Sequence, residues 1–197
     1  MILFHYSVDS YKDGASLIND YAGHYKYAEP FLLALGKGRE VFDAVFYSAM
    51  YVSRDLVDLG LRKNENYRKD AVEGIFEHVR RTEFGGVPVS RLHCVYYCAS
   101  MDEARKYVWD DALRDGSFTP EQVMLLTVET PGERAYAYDQ QLYNAAIDAV
   151  EKNDIDAVFG YARRYFALER TEEPLIEILA DGENHILRAE TYGAADS

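Results

Sequence analysis

Residues Arg91–Tyr107 read RLHCVYYCASMDEARKY, and the reading of this stretch decides the fold. Val95, Tyr96 and Tyr97 are strong strand formers. Ser100, with Glu103 three residues on, has the form of a capping box at a helix start. Met101, Ala104, Tyr107 and Val108 then recur at helical spacing. A strand over Leu92–Cys98 therefore passes through one short turn into a helix over Asp102–Leu113, which Asp115 and Gly116 end.

Working outward from it, Met1–Ser7 reads as a first strand, with His5 its only strongly polar side chain before Ser7. Residues 8–38 carry Gly14, Gly23, Pro30, Gly36 and Gly38 and read as turn-rich, with a short helix over Ala15–Tyr21. Phe42, Val45, Phe46, Ala49, Val52, Leu56 and Leu59 form one stripe, so Arg39–Leu59 is a helix that Gly60 stops. A second helix follows over Asn66–Arg81. Downstream, Gln122–Glu129 contains the apolar run VMLLTV, the pattern of a strand buried on both faces. Arg134–Asp139 reads as a further short strand, and Gln141–Val150 and Asp154–Leu168 as helices. Pro174–Ala180 is a strand, and Asp181–Asn184 a turn into a hairpin partner at His185–Glu190. Strands and helices in this order give an α+β class.

The 197 residues are expected to form one domain over residues 1–192, with 193–197 a disordered tail; a domain of that size buries about 70% of its unfolded surface. The net charge of −13 implies a soluble, self-repelling surface and argues against general nucleic-acid binding. No apolar run reaches the ~18 residues a membrane helix needs, and MILFHYSVDS lacks the basic and apolar regions of a secretory signal. Cys94 and Cys98, four apart on one strand, lie roughly 13 Å from each other. That distance forbids a disulfide and fits reduced core thiols in a cytoplasmic protein. No His/Cys cluster has zinc spacing.

The phosphate-loop, GxGxxG, HExxH and GxSxG motifs are all absent. Two residues stand out. His5 is polar on an apolar strand. Glu177 interrupts PLI-E-IL, where a carboxylate either points outward or lines a cleft, since burying it unpaired is costly.

The segment Val95–Tyr107, VYYCASMDEARKY, is similar in spacing to the poly(ADP-ribose) polymerase segment in which a strand runs into a helix carrying the nicotinamide-stacking tyrosine. FHYS at Phe4–Ser7, PVSRLHCVYYCASMDEA at Pro88–Ala104, and ARRYF followed by PLIEILADG across Ala162–Gly182 resemble an uncharacterised bacterial domain family of the same ADP-ribosyltransferase-like superfamily, to which rifampin ADP-ribosyltransferase also belongs. The resemblance implies a split two-sheet β core, with helices inserted after the first strand and before the last strands. It implies an NAD-dependent mono-ADP-ribosyltransferase, a bacterial toxin or phage-defence effector acting on a protein, nucleic-acid or small-molecule acceptor. An inactive binding module of that fold, or an acidic protein that binds an antitoxin or regulatory partner, is the alternative. On this register His5 hydrogen-bonds a ribose hydroxyl and Tyr6 stands where the nicotinamide meets the backbone. Tyr107 stacks on nicotinamide, Tyr97 or Tyr96 lines the cleft, and Arg91 clamps the pyrophosphate. The catalytic carboxylate is Glu177 in the bacterial P-x-x-E-x-L-x-x-G pattern, or Glu173 when aligned to the polymerase strand.

Overall fold

The computed structural model describes residues 1–17, 21–60 and 67–194. The chain divides into two compact units. One is built from residues 1–19, 94–137 and 176–197, the other from 20–93 and 138–175. Their stretches alternate along the chain, so no linker composition marks the division.

The first unit is a two-sheet core. β1 (Ile2–Ser7), β4 (Met124–Glu129), β7 (Asn184–Thr191) and β2 (Ser16–Leu17) form a four-stranded sheet in the order β1-β4-β7-β2. β3 (Val95–Tyr97), β6 (Ile176–Ala180) and β5 (Ala135–Asp139) form a second, in the order β3-β6-β5. β1 pairs antiparallel with β4, with Phe4 opposite Thr127, His5 opposite Leu126 and Tyr6 opposite Leu125. Among the described residues one isolated bridge joins the sheets: Phe4 and Cys98 exchange backbone hydrogen bonds of 3.1 and 2.8 Å. Leu3, Val95, Tyr97, Leu126, Val128, Ile178, Ala180 and Ile186 pack into one apolar cluster between the strands.

Two expectations are corrected here. β6 and β7 are not a hairpin: they lie in different sheets. Their apolar residues, Ile178 and Ala180 on one and Ile186 on the other, meet in the same cluster instead of pairing edge to edge. Arg134, at the entrance to β5, holds Asp181 with both Nε and Nη2, and Gly182 turns the chain at φ 89°. Gly193 and Ala194 belong to a 3₁₀ turn, Tyr192–Ala194, rather than to a disordered tail, and a Cβ at Gly193 would stand 3.4 Å from Pro120. The remainder of that tail, 195–197, lies outside the described residues.

After β3 the expected capping box is present: Ser100 Oγ accepts from the Glu103 N–H, and the Glu103 carboxylate accepts from the Ser100 N–H. α4 runs Met101–Val108 and continues as a π turn over Trp109–Leu113. The strand before it is shorter than expected, because Arg91–His93 form a 3₁₀ turn.

The second unit is helical: α1 (Tyr21–Lys37), α2 (Arg39–Asp58), α3 (Tyr67–Thr82), α5 (Gln140–Glu151) and α6 (Ile155–Phe166). α1 corrects the reading of residues 8–38 as turns. Ala28, Phe31, Leu32 and Leu35 are buried at i, i+3, i+4 and i+7, and this stripe outweighs the loss of one backbone bond at Pro30 inside the helix. The short helix read over Ala15–Tyr21 is replaced at Ser16–Leu17 by β2; residues 18–20, and Asn66 at the expected start of α3, lie outside the described residues. α1 packs so closely on α3 that a Cβ at Gly74 would sit 2.8 Å from Phe31 Cβ, so only glycine fits. Among the described residues no helix is long and apolar enough to cross a membrane.

Candidate functional site

Alternation along β1 and β3 sorts the candidate residues by face. Tyr97 pairs with Ile178 and Val95 with Ala180, and all four lie in the inter-strand cluster. His5 joins that face: its ring meets Tyr97 edge-on at 5.8 Å. The opposite face carries Cys98, Ala104, Val108, Val123 and Leu125, with Phe4, Tyr6 and Tyr107 packed against them. Continuing the β3–β6 register by one residue sets Glu177 across from Cys98. On β6, Glu177 alternates with Ile178 and so lies on the side of the strand away from the Ile178–Ala180 cluster. It is buried at 6% exposure. The structure thus packs Tyr6 and Tyr107 against one cluster and His5 beside Tyr97 at the other, while the rings of His5 and Tyr6 lie stacked 6.1 Å apart.

His5 is fixed chemically as well as sterically. Its Nδ1 lies 2.8 Å from the Tyr96 carbonyl oxygen. A carbonyl only accepts, so Nδ1 carries the proton. Burial holds the imidazole pKa below its ordinary 6.5, with the Tyr96 bond opposing in part. The ring is therefore neutral at pH 7, and Nε2 presents a lone pair. The partner is a backbone carbonyl, which no side-chain pattern reveals. Beside it, the Tyr97 hydroxyl is buried without a hydrogen-bond partner among the described residues, and burial raises its pKa above the ordinary 10.

The remaining two candidates lie in the helical unit. Arg91, the candidate pyrophosphate clamp, is buried and held by neighbouring side chains. Its Nε lies 3.3 Å from both Glu73 carboxylate oxygens, and Nη1 donates to the Tyr165 hydroxyl at 2.8 Å. The guanidinium sits 3.8 Å from the centroid of the Tyr143 ring. One turn along α3, Glu77 accepts from Arg80, Arg81 and Ser90. Residues 90 and 91 are thereby tied to α3, which accounts for the 3₁₀ turn that begins at Arg91. Glu173 is exposed on a loop whose two ends are held by one buried carboxylate. Asp139 accepts from Thr171 N–H and Oγ1 and from the N–H groups of Gln141 and Leu175. Neither the Glu73–Glu77 pair nor Asp139 was anticipated; the signal for the first is two glutamates one turn apart on the apolar stripe of α3.

Among the described residues no group of three or more His, Cys, Asp or Glu side chains is placed to hold a metal ion. No curated protein matches the chain. A family model does, from the end of α1 through β7. The chain belongs to the family described as protein of unknown function (DUF2441), whose model matches residues 37–192.

Proposed function

We propose that this protein is an NAD-dependent ADP-ribosyltransferase whose site is built on β1, β3, α4 and β6. The observation that carries the reading is His5: a neutral imidazole, locked by the Tyr96 carbonyl, offers Nε2 as an acceptor for a ribose hydroxyl. Support also comes from Tyr6 and Tyr107, which pack against one cluster, and from Glu177, a carboxylate buried on β6. In this reading the Tyr107 ring stacks on nicotinamide and fixes its orientation. The bond between the ribose anomeric carbon and the nicotinamide nitrogen breaks, and its electron pair leaves with neutral nicotinamide. The ribose acquires oxocarbenium character, and the Glu177 carboxylate stabilises that positive charge in a site with little water. A lone pair on the acceptor then bonds to the anomeric carbon, and the acceptor loses its proton. Arg91 has no part in this scheme, because Glu73 and Tyr165 already hold it.

The test is nicotinamide release from NAD⁺ by the purified protein. Glu177→Gln is expected to lower the rate by about 10²–10³-fold, the scale for removing one charge-stabilising group. Glu173→Gln should leave it within about twofold. His5→Ala should raise KM for NAD⁺ by about tenfold, the equivalent of ~1.4 kcal/mol. A folded protein that neither binds NAD⁺ nor releases nicotinamide at millimolar concentration overturns the proposal, and a larger effect at Glu173 than at Glu177 moves the catalytic carboxylate.

A further inference from the structure

The helical unit holds a second feature that this reading does not use. An open cleft of about 410 Å³ is lined by Leu35, Arg39, His78, Asp156, Phe159 and Arg163. Asp156, Phe159 and Arg163 stand at i, i+3 and i+7 on α6, so they share one helix face and span roughly 10 Å. At one end Arg39 Nη1 donates to Asp156 at 2.6 Å and its Nε to Asp43 at 2.8 Å. At the other, Arg163 Nε and Nη2 both donate to Glu83, at 2.7 and 2.9 Å. Each guanidinium is therefore held in place while keeping one terminal nitrogen, Nη2 of Arg39 and Nη1 of Arg163, that makes no hydrogen bond among the described residues. Between them lies an aromatic wall. The Arg163 guanidinium sits 5.8 Å from the Phe159 ring centroid, and the His78 ring meets Phe159 edge-on at 6.3 Å.

We infer that this cleft binds an aryl anion: a planar ring lying against Phe159 and Leu35, with its acidic group on one of the two guanidinium ends. The volume is within the range of small-molecule sites, and the salt bridges pre-organise the donors, which lowers the ordering cost of binding. The same carboxylates decide the ligand class. Asp43, Asp156 and Glu83 offset the two arginines, so the cleft has no surplus positive charge to draw in a bare anion. Affinity must come from the ring and the acid together.

Phenyl phosphate, benzoate, inorganic phosphate and benzylamine, titrated into ¹⁵N-labelled protein, test this. Phenyl phosphate or benzoate should give saturable shifts at millimolar concentration, confined to amides near Leu35, His78 and Asp156–Arg163; the tighter of the two names the acid. Inorganic phosphate should bind at least about tenfold more weakly, and benzylamine not at all. Phe159→Leu should weaken the aryl ligand by about threefold and leave inorganic phosphate unchanged, and Arg163→Gln should weaken the aryl ligand by about fivefold. Arg163 and Glu83 are exposed, and pairs of that kind contribute little to folding, so the variant is expected to stay folded. Shifts that map elsewhere, equal binding of inorganic phosphate or benzylamine, or unchanged affinity in both variants overturns the inference.

Discussion

Two sets of buried groups, the charges of the helical unit and the His5–Tyr97 pair of the two-sheet unit, are held in different ways. In the helical unit each buried charge is met several times over. Glu77 accepts from two arginines and a serine, Asp139 from three backbone N–H groups and a hydroxyl, and Arg91 from its position among Glu73, Tyr143 and Tyr165 serves both ion pairing and ring contact. Among uncharged groups the units do not differ: Ser53 Oγ in this unit and Thr130 Oγ1 in the other both lack a hydrogen-bond partner among the described residues. In the two-sheet unit, His5 is held by one backbone carbonyl, and the Tyr97 hydroxyl next to it has no hydrogen-bond partner among the described residues. Unpaired buried polar groups cost stability, so they persist where something outside the chain completes them. We read the saturated charge networks as architecture and the incomplete His5–Tyr97 pair as part of the proposed site. By that measure Arg91, for all its phosphate-binding chemistry, is architecture.

The sharpest way to break this contrast is to cut one member of each set. Glu77→Ala strands Arg80 and Ser90 in a buried setting, and losing one partner of a buried ion network costs about 3–5 kcal/mol. His5→Gln removes at most one hydrogen bond, worth about 1 kcal/mol. Chemical denaturation at pH 7 measures both. If His5→Gln proves the more damaging, the assignment of roles to the two units is wrong.

Acid titration sharpens the contrast further. For Glu77, burial alone raises the pKa, but the bonds from Arg80, Ser90 and Arg81 bring it below its ordinary 4.5. A depressed carboxylate contributes stability that is present above its unfolded value and lost as pH falls through the folded one. The helical unit is therefore expected to weaken below about pH 4.5. Asp139, also depressed by its hydrogen bonds against the effect of burial, acts from its ordinary 3.8 downward. His5 is held below 6.5 by burial, so its share of stability starts to fall already as pH drops past 6.5, where the unfolded chain takes up the proton first. His78, lowered by burial with Glu83 opposing, adds to the same upper window. Thermal melts between pH 7.5 and 3, roughly the span of these ordinary values, should show both phases. His5→Gln should reduce the upper one and leave the lower intact; a loss of the lower phase instead would contradict these origins.

What could be read in the sequence follows from the range of the interactions. The capping box at Ser100 and Glu103, the bounds of α2, the stripe of α6 and the apolar run of β4 are local patterns, and the structure shows each within a residue or two; of the expected α2 stripe, Val52 and Leu59 are exposed while Ser53 is buried. α1 was hidden because Pro30 and two glycines outvoted a stripe that is nonetheless present from Ala28 to Leu35. The β6–β7 hairpin failed for a different reason. A turn signal at Gly182 states that the chain reverses, not which sheet it enters, and the choice was made by the cluster that Ile178 and Ile186 fill together. At the site, the sequence reading left Tyr96 and Tyr97 as alternatives for the cleft wall. It could not find the Tyr96 carbonyl that sets the tautomer, nor the Glu73 that claims Arg91, since both depend on contacts distant in sequence.

The same conservative substitution distinguishes the units most finely. The Tyr165 hydroxyl accepts from Arg91 Nη1 at 2.8 Å, so Tyr165→Phe leaves a buried guanidinium nitrogen short of a partner and costs about 1–3 kcal/mol. The Tyr97 hydroxyl has no partner to lose. Tyr97→Phe removes only its desolvation cost and is expected to raise stability by up to about 1 kcal/mol. The gain has a counterpart if the hydroxyl is kept for a ligand: the stabilised variant should bind NAD⁺ about five- to tenfold more weakly, close to the ~1.4 kcal/mol of a tenfold change. Opposite signs in denaturant midpoints, with lower NAD⁺ affinity only for Tyr97→Phe, tie the unpaired hydroxyl to binding. A Tyr97→Phe variant that is stabilised and binds NAD⁺ unchanged would make that hydroxyl a packing defect, and the site would then rest on His5, Tyr6, Tyr107 and Glu177 alone.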